Sequence, residues 1–236
     1  MKLFKAISSS GVLSRRKSMD AVKEAMVTVN GKLILDPSFE IKTNDDVRLD
    51  NQKIKLNSEL TTILLNKPTG YLSTKSDEKN RKTIFDLIPK KPPLNHIGRL
   101  DMDTTGAILL TNDGNLAQFL MHPKNKIDKE YIAISDQFID DKTINKVRKG
   151  IFIGSGQKGK AKITSQEKHK GKVEIRLILK QGKKNEIRRI FKFLDLNLFS
   201  LKRLRIGEIK LGNLPIGSWR LLSKKELRYL STLQSK

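Results

Sequence analysis

The run Gly98-Arg99-Leu100-Asp101-Met102-Asp103-Thr104-Thr105-Gly106-Ala107-Ile108-Leu109-Leu110-Thr111-Asn112-Asp113-Gly114 has three parts. A polar loop carrying acids, Asp101 to Thr105, lies between two glycines. Ala107 to Leu110 follows, an apolar run short enough for a buried strand. Asn112-Asp113-Gly114 then supplies strong turn chemistry. A carboxylate at the head of a buried strand is fixed in place and free to face a cleft. Two plainer readings compete. Asp101 or Asp103 can cap a turn through local side-chain to backbone bonds. Asp-x-Asp-Thr also occurs in phosphotransferases with an aspartate nucleophile, but those carry a hydrophobic strand directly into the first Asp. Here Gly98-Arg99 interrupts that strand and the apolar run comes afterwards.

Composition narrows the partner. The chain of 236 residues is long enough for one large domain, or for a small one and a medium one. It carries 48 Lys and Arg against 25 Asp and Glu, a net charge of +23, with an ordinary hydrophobic content of 37%. The surplus is spread along the chain, so it describes a folded basic surface facing a polyanion. A generally lysine-rich proteome is the other source of such a surplus. Cysteine is absent, which removes disulfides and thiol catalysis. No apolar core of signal-peptide length stands at the N-terminus, and no run approaches the ~18 apolar residues of a membrane span. A soluble, cytoplasmic protein with no membrane partner is expected.

From the beginning, residues 2–9 and 14–25 read as two short helices around Gly11, with Ser14 as N-cap before Arg15-Arg16-Lys17. Met26 to Val29 and Lys32 to Leu35 flank Asn30-Gly31, a strong hairpin signal, and Asp46 to Leu49 offers a third strand. Residues 51–60 read as a polar linker. Thr61 to Pro68 restarts ordered structure as a strand, and the mixed-charge stretch Ser73 to Lys82 reads as a mobile flap over a substrate. Residues 115–121 read as a helix, 129–134 as a strand, 140–149 as a helix and 151–154 as a strand. A basic flexible loop at 156–160 and a strand at 173–179 follow. Ile187, Ile190, Phe191 and Leu194 recur at helical spacing in an amphipathic helix over 186–195. In Leu201 to Gly207, strand alternation places Arg203 and Arg205 on one face. Residues 214–220 read as a loop, and Ser223 to Glu226 forms a capping box before a last helix. The irregular alternation of strands and helices makes the fold class α+β with a mixed sheet.

Three motifs together resemble one family. Gly98-Arg99-Leu100-Asp101, two free positions, Thr104, a free position, Gly106, the apolar run and Thr111-Asn112-Asp113-Gly114 fill the catalytic motif of the pseudouridine synthases that act on small- and large-subunit ribosomal RNA. Lys129-Glu130-Tyr131 matches the family's Lys-x-Tyr, and Gly182 to Arg189 its third motif, with Asn185 where many members have His. Residues 1–50 resemble the S4 RNA-binding module, with Ala25 where that family usually has Gly. The resemblance implies an S4-like αα-β domain over 1–50 and a synthase domain over 61–236, with a largely antiparallel sheet flanked by helices. It implies Asp101 as nucleophile, Tyr131 stacked on the target base and Arg188 as the cation beside the acid. Arg99, Ser14, Arg15, Arg16, Lys17, Asn185, Arg203 and Arg205 are the candidate RNA contacts. The chemistry needs no cofactor, and the scattered His96, His122 and His169 offer no metal-ligand spacing. The expected partner is ribosomal RNA or a ribosome assembly intermediate, met by a monomer. A non-catalytic S4-type RNA-binding or ribosome-assembly protein fits the charge and the first fifty residues equally well. The joint presence of Asp101, Tyr131 and Arg188 separates the two.

Overall fold

The structure is a computed structural model that describes residues 1–56 and 59–235. The chain forms two compact units. One comprises Met1–Thr62 with Pro89–Asn95 and Thr111–Gly114, and the other comprises Ile63–Ile88, His96–Leu110 and the chain from Asn115 onward.

In the first unit, helices α1 (Leu3–Ser10) and α2 (Arg15–Lys23) precede strands β1 (Val27–Val29), β2 (Lys32–Leu33), β3 (Val47–Leu49) and β4 (Gln52–Lys53), in sheet order β2-β1-β3-β4. The hairpin turns at Asn30-Gly31, where φ of 50° and 79° gives the twist that suits adjoining strands. Leu3, Ala6 and Ile7 of α1 pack with Ala21 and Val22 of α2 and with Val27, Val29 and Val47 of the sheet. Strand β4 lies within the stretch expected as linker, and Ile54 joins this core. Residues 57 and 58 of that stretch lie outside the described residues.

Ala25 stands just past α2 with φ of 60°, in the left-handed region that the S4 family's usual glycine occupies freely. A Cβ there costs about 1–2 kcal/mol, and glycine returns roughly 0.5–1 of it as unfolded-chain entropy. Ala25→Gly is therefore expected to stabilise the first unit by about 0.5–1 kcal/mol. Urea titration of the full chain measures it, and an unchanged or lower midpoint removes the strain argument.

The second unit is built on a mixed sheet. Its strands are β5 (Thr62–Lys67), β6 (Asn95–Ile97), β7 (Thr104–Thr111), β8 (Lys129–Ser135), β11 (Lys162–His169), β12 (Lys172–Leu179), β13 (Leu198–Ile206), β14 (Ile209–Lys210) and β15 (Trp219–Leu221). A separate two-stranded ribbon holds β9 (Ile151–Phe152) and β10 (Lys158–Gly159). The main order is β11-β12-β8-β13-β7-β5-β15, with β14 on β13 and β6 on β7. Most pairings are antiparallel, while β13 runs parallel to β7. Helices α3 (Gly114–Met121), α4 (Asp141–Lys149), α5 (Glu186–Phe193) and α6 (Lys224–Gln234) accompany the sheet. Ala107 and Leu109 of β7 pack with Leu116 and Leu120 of α3, Ile206 of β13 and Leu230 of α6 in one apolar cluster.

Four sequence expectations change. The basic loop at 156–160 contains β10, paired to β9. The loop at 214–220 runs into β15, which pairs with β5. The flap expected at 73–82 is tied at its base: Ser73 Oγ donates to Leu100 O at 2.9 Å, and Arg81 grips Asp77 within the loop. Finally, Arg203 and Arg205 do not share a face. Arg203 lies opposite Tyr131, while Arg205 lies opposite Glu130, the preceding residue of β8. The extra residue, Leu204, makes a bulge that turns Arg205 to the other side.

The close approach of β13 to β7 depends on Gly106. Its φ is 102°, and a Cβ would meet Arg203 O at 2.2 Å and Arg203 N at 2.8 Å. Backbone cannot give way like a flexible side chain. Gly106→Ala is expected to cost about 3 kcal/mol through overpacking and left-handed strain, and to cut activity by forcing β13 from β7. Thermal melting alongside turnover checks it, and a wild-type melting point contradicts it.

Candidate active site

The motif stretch enters β7 through a turn. Thr104 N donates to Asp101 O at 3.0 Å, and Asp101 lines the cleft. Beneath the turn lies Lys67, the last residue of β5, fully buried. Its Nζ donates to the carbonyls of Pro68 at 3.0 Å, Met102 at 3.0 Å and Thr104 at 2.9 Å. One ammonium thus ties the end of β5 to the acid loop. Burial pushes Lys67 down to about 8, against the opposing pull of Asp101 and Asp103.

The second wall is the turn before α5. Asn185, in the left-handed region at φ 52°, faces Asp101. With the amide oriented as hydrogen bonding requires, Nδ2 donates to Oδ1 at 2.7 Å and Oδ2 at 2.8 Å. Buried Glu186 organises this turn. Its carboxylate accepts from Gln181 Nε2 at 2.6 Å, Lys183 N at 3.0 Å and Lys160 N at 3.1 Å. One helical turn further, Arg188 Nη2 donates to Thr104 Oγ1 at 3.3 Å.

The cation expected beside the acid lines the same cavity and reaches the acid turn through another contact. Among the described residues Arg188 and Asp101 form no ion pair. Asn185 occupies both carboxylate oxygens, and Arg188 reaches the same turn through Thr104.

The third wall is β8 with β13. Tyr131 is 8% exposed. Arg203, 3% exposed, sends Nε to Ala107 O at 2.6 Å and Nη1 to Tyr131 Oη at 3.4 Å, with its guanidinium carbon 5.9 Å from the ring centre. Lys129 Nζ donates to Ile127 O at 2.8 Å, and burial, with Arg203 nearby, lowers it to about 8.

These walls enclose a cavity of about 430 Å³ lined by Asp101, Tyr131, Asn185, Arg188 and Arg203, with exposed Arg99 at its edge. Seven Lys and Arg side chains line it against two carboxylates, Asp101 and Glu186, so the space favours an anion. That volume accommodates a nucleobase with its sugar. Comparison with known proteins supplies the family. Residues 61–193 match the RNA pseudouridylate synthase family and residues 1–47 the S4 domain. The chain is 35% identical to the ribosomal large subunit pseudouridine synthase B of Bacillus subtilis, over 98% of this chain and 96% of that protein.

The chain belongs to the RNA pseudouridylate synthase family.

This synthase is also 37% identical to the ribosomal large subunit pseudouridine synthase B of Buchnera aphidicola, over 98% of this chain and 94% of that one. A solved pseudouridylate synthase superposes with a TM-score of 0.69 at 26% identity, covering 98% and 99% of the two chains.

The remaining candidates lie elsewhere. Arg205 pairs with Glu130 and donates to Gly207 O at 2.7 Å, so its guanidinium is engaged outside the cleft. Ser14 caps α2 by accepting from Lys17 N at 3.3 Å. Arg15, Arg16 and Lys17 are exposed on that first turn, with Arg15 held over the Phe4 ring at 5.6 Å. Sequence reasoning gave Lys67, Thr104 and Glu186 no role in the site. The signal for Lys67 was present: a lysine closing the apolar strand Ile63-Leu64-Leu65 must find partners for its charge inside. Among the described residues, no helix is long and apolar enough to cross a membrane.

Proposed function

We propose that this synthase converts a uridine of ribosomal RNA to pseudouridine, at a large-subunit rather than a small-subunit site. The observation that carries the reading is the meeting of Asp101, Tyr131 and Arg188 in one cationic cavity. The names of the Bacillus and Buchnera relatives supply the large-subunit preference.

The target uridine is flipped from its stack, at a cost of a few kcal/mol that looped or single-stranded RNA reduces. Arg99, exposed beside Asp101, fills the vacated place or holds a phosphate. Inside, the base lies on Tyr131, and Asp101 attacks C1′. A C1′–O bond forms as the N1–C1′ bond breaks, and the bond pair leaves with the uracil ring as an anion. The ring turns, C5 attacks C1′, and the carboxylate departs with its electron pair. The C5 proton is lost, with Tyr131 assisting, and N1 gains a proton. The step is an isomerisation that consumes no oxidant, reductant or nucleotide. Arg188, fixed on Thr104, orients the acid turn and adds positive charge beside it. Arg15, Arg16 and Lys17 of the S4 unit add phosphate contacts at a second place, raising affinity by linkage. The protein works as a monomer in the cytoplasm, on naked RNA or an assembly particle.

The test is release of C5 tritium from uridine-labelled precursor ribosomal RNA. Release at a single large-subunit position is expected. Release from no rRNA fragment or assembly intermediate favours the S4-type binding protein instead.

A further inference from the structure

Arg203 is a buried cation left without a counter-ion. Its side chain is 97% removed from solvent and, among the described residues, makes no ion pair. Nε is committed to Ala107 O and Nη1 to Tyr131 Oη, while Nη2 is screened from water and has no partner. A charged donor in such surroundings is expensive to keep, since burial removes hydration and the protein's two hydrogen bonds replace only part of it. The fold nonetheless fixes it firmly. Strand β13 is pressed against Gly106 on one side and Tyr131 on the other, and the bulge at Leu204 turns Arg205 away while leaving Arg203 on the cleft side.

The group is placed where negative charge appears during the reaction. When N1–C1′ breaks, the bond pair stays on the uracil, and the charge spreads over N1, O2 and O4. Arg99 and Lys184 are exposed, where a phosphate can reach them, whereas Arg203 is buried against the ring of Tyr131. We infer that Arg203 is a catalytic residue: its guanidinium, part of the cleft lining, donates to a ring carbonyl oxygen and stabilises the departing uracil anion. This rests on the uridine-isomerising reading above. It does not depend on Asp101 being the nucleophile, because the base leaves as an anion however C1′ is held. A fixed donor at a developing anion acts chiefly on the transition state.

The test uses the base itself as the probe. Fluorine at C5 withdraws electrons and makes uracil a better leaving anion, so it lessens the need for Arg203. Single-turnover loss of the N-linked nucleoside is followed on matched ribosomal RNA fragments carrying uridine or 5-fluorouridine at the target. Arg203→Met is expected to lose about 10²–10³-fold on uridine and about tenfold on 5-fluorouridine, with RNA binding kept. Equal losses on the two RNAs, or none on uridine, overturn the inference. If Arg203→Met does not fold, Arg203→Lys decides. It retains the charge without the fork, and a larger loss on uridine than on 5-fluorouridine supports the role while equal losses overturn it. Wild-type protein inert on both RNAs overturns the uridine-isomerising reading, and the role of Arg203 with it.

Discussion

Asp101→Asn is expected to slow single-turnover pseudouridine formation by about 10⁴-fold or more while leaving RNA affinity within about threefold. The substitution keeps the shape of the side chain and removes its charge and nucleophilicity. Structure at the turn should persist, because Thr104 N bonds to the backbone carbonyl of residue 101, and Lys67 holds the carbonyls of Met102 and Thr104. None of these contacts uses the carboxylate. Asn185 can still donate to one oxygen of the new amide. Affinity is expected to hold because phosphate contacts dominate it, and removing an acid from a cleft with seven cationic side chains lowers repulsion toward RNA. Rate and binding therefore separate, which a structural role for Asp101 would not produce. Turnover near the wild-type rate would remove Asp101 from the chemistry and leave it as the turn cap weighed at the outset. Loss of turnover together with loss of RNA binding would point to a disturbed fold, which a melting curve on the same sample detects.

How far the sequence alone reaches depends on what each residue reports. Asn30-Gly31 specified its hairpin because the left-handed dihedrals it needs are local. Ile187, Ile190 and Phe191 specified the buried face of α5 because helical periodicity is local too, although the helix ends at Phe193, with Leu194 as its cap. Strand β11 was invisible for the opposite reason. Lys162-Ile163-Thr164-Ser165-Gln166-Glu167-Lys168-His169 is polar and lies at a sheet edge, held by pairing with β12 that no local pattern announces. The site divides the same way. Asp101, Tyr131 and Arg188 were legible as motif positions, and the structure brings all three to one cavity. Their contacts were not legible. Asn185 bonds the carboxylate from the turn before α5, while Arg188, one helical turn on, bonds Thr104. The opposed facing of Arg203 and Arg205 hung on one bulged residue, and strict alternation cannot foresee a bulge.

Lys67→Met is expected to damage stability and turnover together. Methionine fits the volume and spares the cost of burying an ammonium, so simple transfer arithmetic makes the change look harmless. The backbone decides otherwise. Carbonyls of Pro68, Met102 and Thr104 converge on Nζ within 3.0 Å, and methionine has no donor to return to them. A hydrogen bond from a charged donor contributes about 1.5–3 kcal/mol, and stranded buried acceptors add their own penalty. Offset by the relief of desolvation, the net loss is about 3 kcal/mol. Two of those carbonyls, of Met102 and Thr104, belong to the turn that Asp101 opens, so they relax by moving the carboxylate. A displacement near 1 Å costs about 10²-fold in rate. The expected signature is a melting point several degrees lower and turnover down about 100-fold on the chain that remains folded, with RNA affinity little changed. Lys67→Arg offers no rescue, since a planar fork does not match three acceptors gathered about one point. A Lys67→Met protein with wild-type turnover would show that the acid turn holds its shape without the ammonium, and that β7 alone fixes the place of Asp101.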